Sequence, residues 1–405
     1  MKKTIVPLVM SMAAATAFCA PQKPSMPQAK YYPGGIQFDI MSGPGNARNG
    51  GGAFLVTKKG RIRFIYCRVS GNISHDHAPG DIAEVFSDDD GKTWKDRGII
   101  IPHGDAHKIE SVSLLRLRDG STRLFYLEKR VLSNGSITCN PLMCTSSDDG
   151  ENWSAAQRLI PHDGYYVMNN DRAVQLSSGR IILPLAFHPW RTVKQDLGSK
   201  PAWQTSGSET RPGIVFTLFS DDNGKTWLES DTMLAPDFQA ETRNGFQEPG
   251  LIELDPGKLL LWLRTELGFQ FRSVSCDNGN TWSQAVPDLN FPSPLSPMSI
   301  KRDPATGFLY AVWNGLNRRL YPVLPTTSSR TPLVIMRSCD NGKTWDLTGG
   351  IMLEKEPDHG YAYVAMQFHG KSLLLAYNCG QAGNGHSHLQ DVRIRKIELS
   401  ELWPK

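Results

Sequence analysis

Five copies of one turn, Ser-x-Asp-x-Gly-x-x-Trp, constrain this chain more than any other feature. They read SDDDGKTW from Ser87, SSDDGENW from Ser146, SDDNGKTW from Ser220, SCDNGNTW from Ser275 and SCDNGKTW from Ser338. Copies spaced by about 55 to 75 residues mark a repeated supersecondary unit rather than a repeated domain. Each copy has the chemistry of a tight turn. The Asp carboxylate can fold back onto nearby backbone N–H groups, the Gly can take positive φ, and the Trp supplies an apolar plug. A calcium loop of the D-x-D-x-G kind would need a bidentate Glu at its twelfth position and flanking helices, and neither is present. The boxes therefore read as scaffold, expected at equivalent outer turns away from any active site, and no metal is assigned.

A second repeat lies between the boxes. Residues 51–66, 109–127, 169–187, 246–264, 297–314 and 360–378 each carry an alternating strand, a Gly-containing turn and a second, more apolar strand. Six hairpins interleaved with five boxes predict an all-β fold, a six-bladed β-propeller whose blades are four-stranded sheets around a central channel. The sixth blade has no box and ends at 392–399, so residues 31–41 are the natural strand to close it. With 37 Gly, 27 Pro and no extended helical period, composition agrees. No linker divides the chain after about residue 30, so 31–405 reads as one domain. The longer stretch between His188 and Gly213 holds Trp190 and Trp203, which suit a sugar-binding rim.

Lys2, Lys3 and an apolar run from Ile5 to Ala20 predict a signal peptide over 1–20, followed by a short linker over 21–30. The run is too short for a membrane span, and the expected location is secreted or periplasmic. Cys19 offers a lipid anchor as an alternative, although Phe18 is a poor match to the small residue expected before it. A net charge of +4 without a basic cluster gives no sign of a nucleic-acid partner. The six remaining cysteines lack zinc spacing, and Cys139 with Cys144 is the one candidate disulfide.

Residues that begin the innermost strands of a propeller face its cavity. Glu248 and Tyr361 each stand nine positions before a turn glycine, Gly257 and Gly370, and Asn170 holds the matching place before Gly179. Three polar groups are thereby expected at one end of the channel.

With the boxes, these residues resemble the exo-sialidase (neuraminidase) family over about residues 45 to 380. EPGLIELDPGKLLLWLR, from Glu248 to Arg264, matches that family's Glu and second Arg. Arg330 in RTPLVIMRSCDNGKTW matches its third Arg, and Tyr361 in YAYVAMQFHG its Tyr, with Ala362 replacing Ser. Arg48 in ARNGGGAFLV is the candidate first Arg, although the family's Ile-Pro is lost and two extra residues intrude. Arg68 ends the first hairpin. In the segment that follows it, Asp76 is the candidate acid, with Asp81 as the fallback and His75 and His77 as flanking alternatives.

The resemblance implies a secreted exo-α-sialidase, without cofactor, acting as a monomer on sialylated glycoprotein, mucin or glycolipid. Arg48, Arg264 and Arg330 would hold the substrate carboxylate, with Arg68 and Asn170 as further binding residues. That carboxylate would repel a carboxylate nucleophile, so Tyr361, activated by Glu248, would attack instead, while Asp76 protonates the leaving oxygen. Tyr363 is next in line should Tyr361 point into a blade core. A propeller glycosidase or lyase for another acidic sugar, and a non-catalytic glycan-binding propeller, are the competing readings.

Overall fold

In a computed structural model, residues 30–133, 135–189, 212–237, 242–315, 330–346, 350–381 and 388–404 are described. The leader, Cys19 and both tryptophans of the 188–213 stretch lie outside them. Strand dominates, with a single four-residue helix at Leu399–Leu402 among the described residues.

The strands form consecutive antiparallel meanders. The first runs Asn46–Val56, Ile62–Ser70, Gly80–Ser87 and Lys95–Ile101, and the next Lys108–Arg116, Thr122–Val131, Ile137–Ser146 and Gln157–Arg158. Single parallel pairs, Gly80 with Lys108 and Tyr165 with Cys139, stitch the first three meanders into one 13-stranded sheet. The second strand of each hairpin is the most apolar because it is covered on both faces: LLLWLR, from Leu259 to Arg264, is buried throughout. Six large apolar clusters each join two consecutive meanders. One of them packs Leu374, Ala376 and Ile394 from the end of the chain against Phe54, Phe64 and Val85 from its beginning.

Residues from the start of the chain also complete sheets formed by its end. Ile36–Ile40 pairs antiparallel with Asp391–Glu398, as the closing-strand expectation requires. Lys30–Tyr31 instead pairs parallel with Ile351–Glu354 of the preceding meander.

Each box turns the third strand of a meander toward the fourth. In the first, Ser87 Oγ donates to Asp89 and accepts from the Gly91 amide at 2.8 Å, while Asp89 accepts from the Thr93 amide and hydroxyl. The same bonds recur around Asp222, Asp277 and Asp340, and around Asp148 with the Asn152 side-chain amide in place of the Thr hydroxyl. These carboxylates are spent on their own loops. The Asp or Asn before each box glycine also takes positive φ, from 58° to 63°, which explains why that position is always Asp or Asn.

Cys139 and Cys144 are free thiols. They lie five positions apart on one strand, so their side chains point to opposite faces and no bridge can form.

Candidate active site

A cavity of about 510 Å3 opens where the first strands of the hairpins converge. The residues that reach it do so because those strands are bulged. Register slips by one residue between Gly50 and Ala53, Glu110 and Ser113, Gln247 and Gly250, and Ala362 and Ala365. Within each slip one residue takes the left-handed conformation: Gly51 at 61°, Ser111 at 60°, Glu248 at 40° and Tyr363 at 58°. A bulge re-aims side chains, and here it turns Glu248 and Tyr363 toward the channel. Positive φ is unusual for Glu and Tyr and costs of order 1–3 kcal/mol, a strain typical of functional positions.

The bulge corrects one expectation. Tyr361 lies 1% exposed in an apolar cluster, with its ring against Tyr377, and does not line the cavity. Burial pushes its phenol far above the usual range. Tyr363, two positions on, lines the cavity instead, because the extra residue between Ala362 and Ala365 breaks the alternation that would give both tyrosines one face. Counting back from the turn glycine misleads for a related reason. The strand of Glu248 carries a second slip between Glu253 and Asp255, and Gly257 is the second residue of its two-residue turn whereas Gly370 is the first.

Glu248 bridges two partners. Its Oε2 lies 2.6 Å from Arg264 Nη1, and its Oε1 accepts from the Tyr363 hydroxyl at 3.4 Å. Burial works against the charge of Arg264, but Glu248 and the Tyr363 phenol raise its pKa above that of an ordinary arginine. The Arg330 guanidinium stands 5.3 Å from the Tyr363 ring centroid, and its buried Nη1 has no hydrogen-bond partner among the described residues. Arg48, Arg264 and Arg330 all line the cavity, so the three sequence-assigned arginines do converge. The NGGG segment directly after Arg48 forms the first of these bulges. Gly51 takes the left-handed bulge position, while a side chain at Gly50 or Gly52 would collide with Asn378 or Phe64.

Asp76 also lines the cavity, bound to Arg48 at 2.5 Å. Its side chain is 73% exposed at the rim, yet the surrounding cations govern it. Desolvation favours the protonated form, but Arg48, Lys108 and Lys129 together hold its carboxyl far below the usual range. Asp81 is not a substitute, since it is buried outside the cavity and accepts from the backbone and ring of His103. His75 and His77 do line the cavity. Burial and the nearby Lys129 push His77 down to about 3, so its ring stays neutral and has no imidazolium proton to give.

Two assigned binding residues fall elsewhere. Arg68 faces away from the cavity toward Asp96, at 3.5 Å, because it alternates along its strand with Cys67 and Val69, which line the cavity. Asn170 is fully buried beneath the cavity, donating to the carbonyls of Gly52 at 2.7 Å and Tyr363 at 3.1 Å, so it supports the Tyr363 bulge rather than a ligand.

The sequence reading missed a charged cluster in the cavity wall. Lys108 and Lys129 bracket Glu110 at 2.7 and 2.5 Å. The signal was present in the KIE triplet that opens the second hairpin, but an alternating Lys-x-Glu reads equally well as a solvated strand edge.

A BNR repeat-like domain matches residues 74–375, three quarters of the sequence. The chain belongs to this BNR repeat-like family. Among curated proteins the chain is similar to a sialidase of Bacteroides fragilis, 22% identical over 64% of this chain and 42% of its own length. Another is a sialidase of Micromonospora viridifaciens, 24% identical over 67% of this chain and 41% of its own. The BNR-repeat chain thus spans about two fifths of the length of these relatives. Among solved structures it resembles the NanB sialidase of Streptococcus pneumoniae, at a TM-score of 0.65 and 15% identity over 91% of this chain and 71% of the other. It also resembles the intramolecular trans-sialidase of Ruminococcus gnavus, at 0.64 and 15% over 90% and 98%. A Dyadobacter fermentans protein of unknown function stands at 0.66 and 18% over 90% and 98%. Such likeness identifies a propeller-type all-β fold.

Proposed function

We propose that this protein is an exported, six-bladed exo-α-sialidase that removes terminal sialic acid from glycoconjugates with retention, through a tyrosyl intermediate. The observation that carries the reading is the contact of the Tyr363 hydroxyl with Glu248, inside a cavity that also holds Arg48, Arg264 and Arg330. Six inter-meander clusters, one joining the two ends of the chain, support the blade count.

Each residue then has a chemical task. The three guanidinium groups pair the substrate carboxylate through charge-assisted hydrogen bonds. Glu248 takes the phenolic proton as the Tyr363 oxygen attacks the anomeric carbon, and the bond to the glycosidic oxygen breaks as Asp76 protonates it. Asp76 then takes a proton from water, which displaces the tyrosyl oxygen, and Glu248 returns the proton to Tyr363. Arg48 is shared in this scheme. When the substrate carboxylate draws it away, Asp76 loses its 2.5 Å partner, and its carboxyl pKa rises, which favours the proton-carrying form.

The test is a release assay on sialyllactose beside a panel of uronic-acid oligosaccharides. Free sialic acid from the first and no product from the panel is the expected result. Release from the uronate panel alone would move the assignment to another acidic sugar, and binding without release would make the protein a lectin.

A further inference from the structure

The acid assigned to Asp76 sits on the loop between the strands Ile62–Ser70 and Gly80–Ser87, with its side chain at the cavity rim. Few bonds within the loop define where Asp76 stands. The His77 amide donates to the His75 ring at 3.2 Å and the Ala78 amide to the His75 carbonyl at 2.9 Å. The firm attachment comes from the neighbouring meander. Lys108 Nζ and Lys129 Nζ both donate to the main-chain carbonyl of Asp76, at 2.8 and 3.2 Å.

These lysines are 2% and 4% exposed. Ammonium groups are costly to bury unless paired, and Glu110 pairs both of them. One carboxylate thus holds two ammonium groups side by side, and each spends a further proton on the same carbonyl. The anchor also has a direction. A carbonyl gripped from one side fixes the peptide plane of Asp76, and hence the line along which its carboxyl enters the cavity.

We propose that Lys108 and Lys129, held together by Glu110, are positioning residues that aim the Asp76 carboxyl at the leaving-group oxygen. This rests on the reading of Asp76 as general acid. Its consequence is selective, because an alkoxide leaving group needs the proton and an aryl oxide of low pKa departs largely without it. A displacement on the order of 1 Å at a reacting group can cost about a hundredfold.

The experiment compares kcat/KM on sialyllactose and on the 4-methylumbelliferyl sialoside for wild type, Lys108→Met, Lys129→Met and Asp76→Asn. Both lysine variants are expected to lose about a hundredfold on sialyllactose and at least about tenfold less on the aryl sialoside. Lys129→Arg, which keeps charge and donors, should recover part of the sialyllactose rate. Equal losses of the lysine variants on both substrates, beside a leaving-group-dependent loss for Asp76→Asn, would overturn the positioning role and leave the acid in place. Equal losses for Asp76→Asn itself would instead remove the acid assignment on which the inference rests. Should a methionine variant fail to fold by thermal melting, Lys108→Gln and Lys129→Gln are read in the same assays against the same criterion.

Discussion

Two tyrosines two positions apart have opposite fates in this chain. Tyr361 packs its ring in the interior, whereas Tyr363 meets Glu248 in the cavity. Tyr363→Phe is expected to lower kcat at least about a hundredfold while leaving sugar binding largely intact, since only the oxygen of the proposed covalent bond is lost. Tyr361→Phe should keep kcat within about threefold, because that ring is retained where it packs. Steady-state kinetics with a binding measurement on each variant check both. Arg330→Ala should weaken an inert sialic acid analogue by about 2 to 4 kcal/mol, as an under-paired carboxylate is left behind. Isothermal titration reads that loss, and wild-type affinity would remove Arg330 from the carboxylate site. Glu248 was legible as a cavity residue from its spacing, and Arg264 and Arg330 from the family resemblance. Tyr363 was displaced by two positions because spacing counts residues, whereas a side chain's direction depends on which of them are bulged.

At the scale of elements, the bulged first strand is the device on which the site depends, and its glycines are matched to specific neighbours. A methyl group added at Gly250 would meet the indole of Trp262, whose Nε1 donates to the Met298 carbonyl of the next meander at 2.8 Å. The indole cannot swing away without giving up that bond. Gly250→Ala should therefore destabilise the protein by about 1 to 3 kcal/mol, the usual cost of overpacking. Urea unfolding checks the value, and an unchanged midpoint would show that the strand gives way easily. The repeated hairpins and boxes made these elements legible in the sequence. The box aspartates satisfy their own loops wherever they occur, so the motif is nearly invariant. The bulges were not legible, because Gly51, Ser111, Glu248 and Tyr363 share a backbone conformation but no residue type. The wall of Lys108, Glu110 and Lys129 was hidden for another reason: it is assembled from two strands, and neither segment alone distinguishes a buried ion cluster from an exposed one.

For the whole molecule, that ion cluster ties the acid loop of one meander to the next and should leave a mark on stability against pH. Desolvation opposes the charge of Glu110, but Lys108 and Lys129 lower its pKa from 4.5 to about 2. Lys129 is in turn raised well above 10.5 despite its burial, chiefly by Glu110. A carboxyl depressed in the folded state contributes stability above its unfolded pKa and loses it as pH falls through the folded value. A raised lysine contributes below its unfolded pKa and loses stability as pH rises past the folded one. The cluster is thus fully effective between about pH 4.5 and 10.5. Glu110→Gln should be less stable than wild type across that window, with the gap narrowing as pH falls from 4.5 toward 2. Thermal melting as a function of pH reads it, and a gap that stays constant below pH 4.5 would contradict the pairing.

The catalytic account as a whole turns on which oxygen attacks the sugar. A 3-fluorosialyl fluoride forms the covalent intermediate and slows its breakdown, so peptide mass spectrometry of the trapped protein identifies the nucleophile directly. Labelling of Tyr363 alone is the predicted result. A label on any other residue, or a protein that turns over sialosides yet is never labelled, would contradict it.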